Sequence, residues 1–126
     1  MNFLDKFRDW KDIKEYPAGT VIYAEGDPAG LMYVVVEGEI EVTLHGESLG
    51  VEKEGGIFGE VAMVNSASRN ATVTTLSRTR LAHLDRDQFR MLVSENAEFS
   101  FHVMAVLASR LRAVDKYISK QLEERR

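Results

Sequence analysis

One carboxylate and one guanidinium stand out because of where they sit. Glu60 is the single charge in the apolar run Ile57-Phe58-Gly59-Glu60-Val61-Ala62-Met63-Val64, and Arg69 follows nine residues later behind small polar residues. A charge in apolar surroundings costs several kcal/mol unless it is paired, so Glu60 and Arg69 call for each other or for a ligand. Gly55, Gly56 and Gly59 let the backbone approach a bound molecule closely, and a short helical turn starting near Glu60 would aim free N–H groups at an anion. A carboxylate can accept two hydroxyl hydrogens, and a guanidinium can grip a phosphate through two parallel bonds. Together they describe a pocket for a sugar that carries a phosphate.

Other chemistries find less support. His45, His83 and His102 lie tens of residues apart, outside any metal-ligand spacing, so neither a metal site nor a cupin-type cluster on the strands is expected. There is no cysteine for thiol or disulfide chemistry, no nucleophile with a base beside it is read, and an enzyme is not expected. A net charge of -4 argues against nonspecific nucleic-acid binding.

The elements that must position Glu60 and Arg69 follow from periodicity. At 126 residues, with 44% hydrophobic and 29% charged residues, the chain fits one soluble domain spanning 1–126. No apolar run approaches the roughly 18 residues of a membrane span. The N-terminus mixes charges where a secretory signal would be apolar, which points to the cytoplasm. Phe3, Leu4, Phe7 and Trp10 at spacings of three and four predict an amphipathic helix over 1–15, ended by Tyr16-Pro17-Ala18-Gly19. From 16 to 84 short apolar runs alternate with turn signals, the pattern of a β-sandwich or jelly roll. Ile40, Val42 and Leu44 are expected to face inward, His45-Gly46-Glu47 to turn a hairpin, and Leu49 and Val51 to continue the inward set.

From 85 to 126 the period becomes helical: a short helix holding Gln88, Phe89, Leu92 and Val93 with Asp85 as N-cap, then a long one from about 97 to 122. On the long helix Met104, Leu107, Leu111, Val114 and Ile118 form a seam of about two heptads.

The segment Phe58-Gly59-Glu60-Val61-Ala62-Met63-Val64, followed by Arg69-Asn70-Ala71-Thr72-Val73, resembles the phosphate-binding cassette of the cyclic nucleotide-binding domain family. Pro17-Ala18-Gly19, Glu25-Gly26-Asp27 and the run from Leu31 to Val42 resemble the opening strands of its β-roll. The resemblance implies a mainly β fold with flanking helices, a double-stranded β-helix (jelly roll) with a C-terminal helical lid and a cassette over 56–73. It also implies that Arg69, with the N–H groups of Asn70 and Ala71, takes a cyclic phosphate, while Glu60 and Gly59 hold the ribose. Val42, Leu49 and Val61, with Leu111, Val114 and Ile118 of the helix, would line the base pocket. The implied ligand is cAMP in preference to cGMP, with no cofactor. Asn70 departs from the Ser, Thr or Ala usual there; its amide can donate to a phosphate oxygen or reach the base.

Leu107-Ala108-Ser109-Arg110-Leu111-Arg112 looks like the bacterial transcription-factor branch, in which this helix also forms a dimer interface. Those regulators continue into a helix-turn-helix, absent from these residues, so no DNA binding is expected within them. Three readings stay open: a sensor whose C-terminal helix moves on binding and signals to a downstream protein, a degenerate roll serving as a dimerisation or interaction module, and the sensor part of a longer transcription regulator.

Overall fold

The structure, a computed structural model, describes residues 3–64 and 68–125. The turn 65–67 of the expected cassette lies outside the described residues, as do positions 1, 2 and 126. The elements run α1 (Phe3–Arg8), β1 (Ile13–Tyr16), β2 (Val21–Tyr23), β3 (Met32–Glu37), β4 (Ile40–Leu44), β5 (Glu47–Glu52), β6 (Ile57–Phe58), α2 (Val61–Val64), β7 (Thr72–Thr75), β8 (Thr79–Leu84), α3 (Arg86–Glu95) and α4 (Ala97–Glu124). Two four-stranded antiparallel sheets, β1-β8-β3-β6 and β2-β7-β4-β5, face each other as a jelly roll with helices on one side. No helix among the described residues is long and apolar enough to cross a membrane.

The expected helix over 1–15 is shorter than its spacing suggested. α1 ends at Arg8, and Ile13 to Tyr16 form β1 against β8, with Ile13 opposite Ala82 and Tyr16 opposite Thr79. The helical spacing stops at Trp10, whose indole Nε1 donates to the His83 carbonyl at 2.9 Å. Beyond that point β1 pairs with the edge of β8, and its backbone groups that face β8 bond to a strand edge that a continued helix would leave open.

β3 explains why its sequence is almost continuously apolar: both of its faces are buried. Val34 and Val36 pack on Phe7, Leu92, Phe99 and Val103 of the helices, while Tyr33 and Val35 pack inside the roll on Ile40, Val42, Phe58, Val73 and Leu81. Each fully buried large side chain contributes about 1.5–3 kcal/mol. The two clusters share this strand, so the helical layer is tied to the roll.

The β4–β5 hairpin turns through His45 (φ 50) and Gly46 (φ 81), a pair of positive φ values that matches the twist of antiparallel strands. Past the turn the expected inward set breaks. Thr43 pairs with Ser48 and Val42 with Gly50, so Leu49 is an extra residue in a bulge. The bulge shifts the alternation by one: Leu49 reaches the interior, and Val51, expected inside, is 42% exposed.

The helical end is capped as its sequence suggests. The Asp85 carboxylate accepts from Gln88 N–H while the Gln88 side chain accepts from Asp85 N–H. Asn96 serves two helices, its N–H closing α3 on the Leu92 carbonyl and its side chain accepting from Phe99 N–H at the start of α4. Val93, placed on the short helix with Phe89 and Leu92, is exposed while those two are buried.

Candidate ligand-binding site

A cavity of about 400 Å³ opens between the β4–β5 hairpin, the corner from β6 into α2, and α4. Nine of the eleven residues singled out from the sequence line it: Val42, Leu49, Gly59, Glu60, Val61, Asn70, Ala71, Leu111 and Val114. Arg69 lies behind that lining, against Gly59 and Tyr23, and is 8% exposed. Ile118 is one turn farther along α4, outside the lining and half exposed.

Gly59 is where backbone conformation matters most. Its φ is 78°, and a Cβ there would meet the Leu31 carbonyl at 2.9 Å and Arg69 Nη1 at 3.0 Å. The corner can therefore close over the guanidinium only if residue 59 has no side chain. Glu60 follows at once and is 2% exposed, and α2 starts directly after it, with Met63 N–H donating to the Glu60 carbonyl.

The partner of Glu60 is not Arg69. Arg110, fifty residues away on α4, donates from Nη1 to Glu60 Oε1 at 2.9 Å and from Nη2 to the Ile57 carbonyl at 2.8 Å, with Glu52 Oε2 at 4.0 Å. Of the two expected partners for Glu60, Arg69 or a ligand, the first is corrected by this third group, which pairs with the carboxylate through one oxygen. Glu60 Oε2 stays buried with no hydrogen-bond partner. Burial raises the Glu52 carboxyl above its ordinary range, with Arg110 and His102 pulling it back.

Arg69 is held by its surroundings rather than by an acid. Nη2 donates to the Leu31 carbonyl at 2.7 Å, Nη1 reaches the Gly59 carbonyl only at 3.5 Å, and the guanidinium carbon lies 4.0 Å above the Tyr23 ring. Its backbone is fixed by the Glu25-Gly26-Asp27 turn: Arg69 N–H donates to the Asp27 carbonyl and Gly26 N–H to the Arg69 carbonyl, both at 2.8 Å. Nε is buried without a partner. Burial pushes the Tyr23 hydroxyl up to about 12, against the pull of the adjacent Arg69, so Tyr23 stays neutral.

Buried polar groups are almost always satisfied, and among the described residues the two exceptions are one acceptor, on Glu60 in the cavity wall, and one donor, on Arg69 behind that wall. They complement a molecule bearing both a hydroxyl and an anionic oxygen.

Sequence reading missed Arg110, Tyr23, Leu44 and Leu107 in the lining. Arg110 shares a helix face with Leu107, Leu111 and Val114, and a lone cation on a face otherwise turned inward was the available signal. The seam read on α4 is divided: Leu107, Leu111 and Val114 line the cavity, Leu111 while still 72% exposed, whereas Met104 and Ile118 lie outside it and are exposed along with Phe101 and Leu122. One Gly-x-Ser-x-Gly run also went unread, Gly46 to Gly50. It lies on a hairpin, not at a strand-to-helix turn, and Ser48 Oγ accepts from Gly50 N–H at 3.2 Å, so it lacks the setting of a nucleophile elbow.

Known proteins resemble the chain along most of its length. It is 26% identical over 110 residues to the CRP-like cAMP-activated global transcriptional regulator of Mycobacterium tuberculosis, covering 83% of this chain and 49% of that protein. It is 42% identical over 77 residues to the cAMP-dependent protein kinase regulatory subunit of Yarrowia lipolytica, covering 60% of this chain and 20% of that protein. The solved structure of Thermus thermophilus catabolite activator protein superposes with a TM-score of 0.70 at 26% identity, over 87% of this chain and 54% of that one. This chain thus spans about half of the two bacterial proteins. The family model for the cyclic nucleotide-binding domain matches residues 13–96, from β1 through the cassette to the end of α3, and the chain belongs to that family.

Proposed function

We propose that this domain is a sensor that binds a cyclic mononucleotide, cAMP in preference to cGMP, and converts binding into movement of α4. The observation that carries the reading is the pair of partnerless buried atoms, Glu60 Oε2 and Arg69 Nε. In this reading a ribose hydroxyl donates to Glu60 Oε2 while Arg110 keeps Oε1, and Gly59 presents its backbone to the sugar. The phosphate takes Arg69 Nε and the N–H groups of Asn70 and Ala71. Val42, Leu49, Val61, Leu111 and Val114 surround the base, with Ile118 reaching it only if α4 shifts. An apolar wall favours adenine, whose edge carries fewer polar groups to desolvate than guanine.

The switch follows from Arg110, which ties α4 to Glu60 and Ile57 of the cassette. A ligand that changes how strongly Glu60 holds Arg110 shifts the docking equilibrium of α4 by that difference and no more. The exposed apolar stripe of α4 supports a homodimer through that helix, passing the change to a downstream protein. Because the chain corresponds to half of a regulator whose name describes transcriptional control, membership in a longer regulator is consistent with the same switch. With no cysteine and no membrane-spanning helix among the described residues, we place the protein in the cytoplasm. The competing reading, a dimerisation module with a disused pocket, draws on Arg110 already occupying one oxygen of Glu60.

Calorimetry decides between them. A ligand of about 20 non-hydrogen atoms at about -0.3 kcal/mol each implies a Kd near ten micromolar or tighter. The expected result is cAMP binding in that range and cGMP more weakly. Absence of binding by both rejects the sensor, and tighter binding of cGMP rejects the preference.

A further inference from the structure

A second cavity, of about 550 Å³, lies between the start of β5 and the far flank of α4, with Leu49 in the wall of both cavities. Its α4 side is set by Arg112, Lys116 and Lys120, spaced one turn apart, a column of three positive charges about 12 Å long. This flank lies roughly 140° around the helix from the exposed stripe of Met104, Leu111, Ile118 and Leu122, so a helix-to-helix dimer leaves it open.

Charge in this groove opposes that of the molecule, which carries -4 overall. Lys120 reaches Glu47 at 3.3 Å, but Arg112 and Lys116 have no ion-pair partner among the described residues. Two unpaired cations facing one groove repel each other, and an anion with at least two charges relieves that repulsion. A cyclic mononucleotide carries one charge, so the groove suits a different ligand. Ser48 and Ser109 add hydroxyl donors; Ser48 Oγ accepts from Gly50 N–H, which leaves its own hydrogen to give. Tyr117 supplies an aromatic face, with the His45 ring 6.4 Å away.

We propose that this groove binds a nucleoside polyphosphate, its phosphates on Arg112, Lys116 and the two serine hydroxyls and its base against Tyr117. The volume falls in the range of small-molecule sites. The two unpartnered cations and single aromatic face match phosphates and base more closely than they match an extended acidic peptide, which would run past a column of this length. The site shares Leu49 with the cyclic-nucleotide cavity, but none of Glu60, Arg69 or Arg110 belongs to it.

The test is an amide NMR titration of the whole chain with ADP, pyrophosphate and a glutamate-rich peptide. ADP is expected to shift Ser48, Gly50, Ser109 and Lys116 at concentrations that leave Gly59 and Ala71 unmoved, to bind severalfold more tightly than pyrophosphate, and to weaken as salt rises. R112E/K116E is expected to weaken ADP at least tenfold while leaving cAMP binding within about twofold. Should that double variant fail to fold, Lys116→Ala read by the same titration replaces it, with at least a threefold loss expected. ADP shifts confined to Gly59 and Ala71, equal affinity for pyrophosphate and ADP, unchanged ADP affinity in the variants, or response to the peptide alone would each overturn the assignment.

Discussion

Arg69 donates to the Leu31 carbonyl through one nitrogen, stacks on Tyr23 and keeps Nε unused. A guanidinium held this rigidly has paid its ordering cost before a phosphate arrives, which is the condition for a strong charge-assisted bond. Arg69→Leu removes that bond, and a charge-assisted contact is worth about 1.5–3 kcal/mol. The expected outcome is at least tenfold weaker cAMP binding by calorimetry on folded protein; unchanged affinity would reject Arg69 as the phosphate ligand. Glu60 was legible because a charge inside an apolar run is anomalous whatever the fold, and Arg69 because it follows nine residues later in a segment that resembles a phosphate-binding cassette. Arg110 was not, because a cation on a long, mostly polar helix is ordinary until that helix docks.

At the scale of elements, α4 is fastened to the roll by its apolar face and by polar contacts at His102 and Arg110. His102 Nε2 lies 2.8 Å from the Gly55 carbonyl, and Arg110 bridges Ile57 and Glu60. If binding redistributes these contacts, amide exchange between 101 and 122 will differ with and without cAMP, while the α3 amides stay unchanged. Equal exchange throughout α4 would leave the sensor without its proposed output.

β8 carries a separate expectation. His83 is buried, faces Tyr16 at 3.0 Å, and burial lowers its pKa below 6.5, with Asp12 opposing and Lys14 reinforcing. A folded-state pKa below the unfolded one gives stability that is present above pH 6.5 and is lost as pH falls through the folded value. Thermal stability is expected to fall from pH 7 toward acid, and His83→Gln to flatten that slope; an identical slope in the variant would assign the effect to other groups. Elements of this kind were legible where local signals agreed, as at Asp85 and His45-Gly46. They were misjudged at β1 and Val51, where an open sheet edge and a one-residue bulge overrode the pattern.

For the whole molecule, the 28 residues of α4 make a rod about 42 Å long that extends past the cavity with Met104, Leu111, Ile118 and Leu122 uncovered on one side. Water-exposed apolar residues in a continuous stripe are a driving force for association. Sedimentation is expected to show a concentration-dependent dimer that Leu111→Glu, at a residue 72% exposed, dissociates without lowering thermal stability. A monomer at every concentration would remove the dimer from the proposal.

Local sequence specifies the short-range features: where the chain turns, most of the strands, the Asp85 cap, and that Glu60 is an anomalous charge. Each depends on residues a few positions apart. The tertiary structure alone decided that Arg110 meets Glu60, that Leu107 and Val114 turn inward while Leu111 is largely uncovered, and that β8 takes β1 as a neighbour. Those contacts join segments fifty or more residues apart, and their geometry is set by how a helix docks on two sheets, which no local spacing encodes.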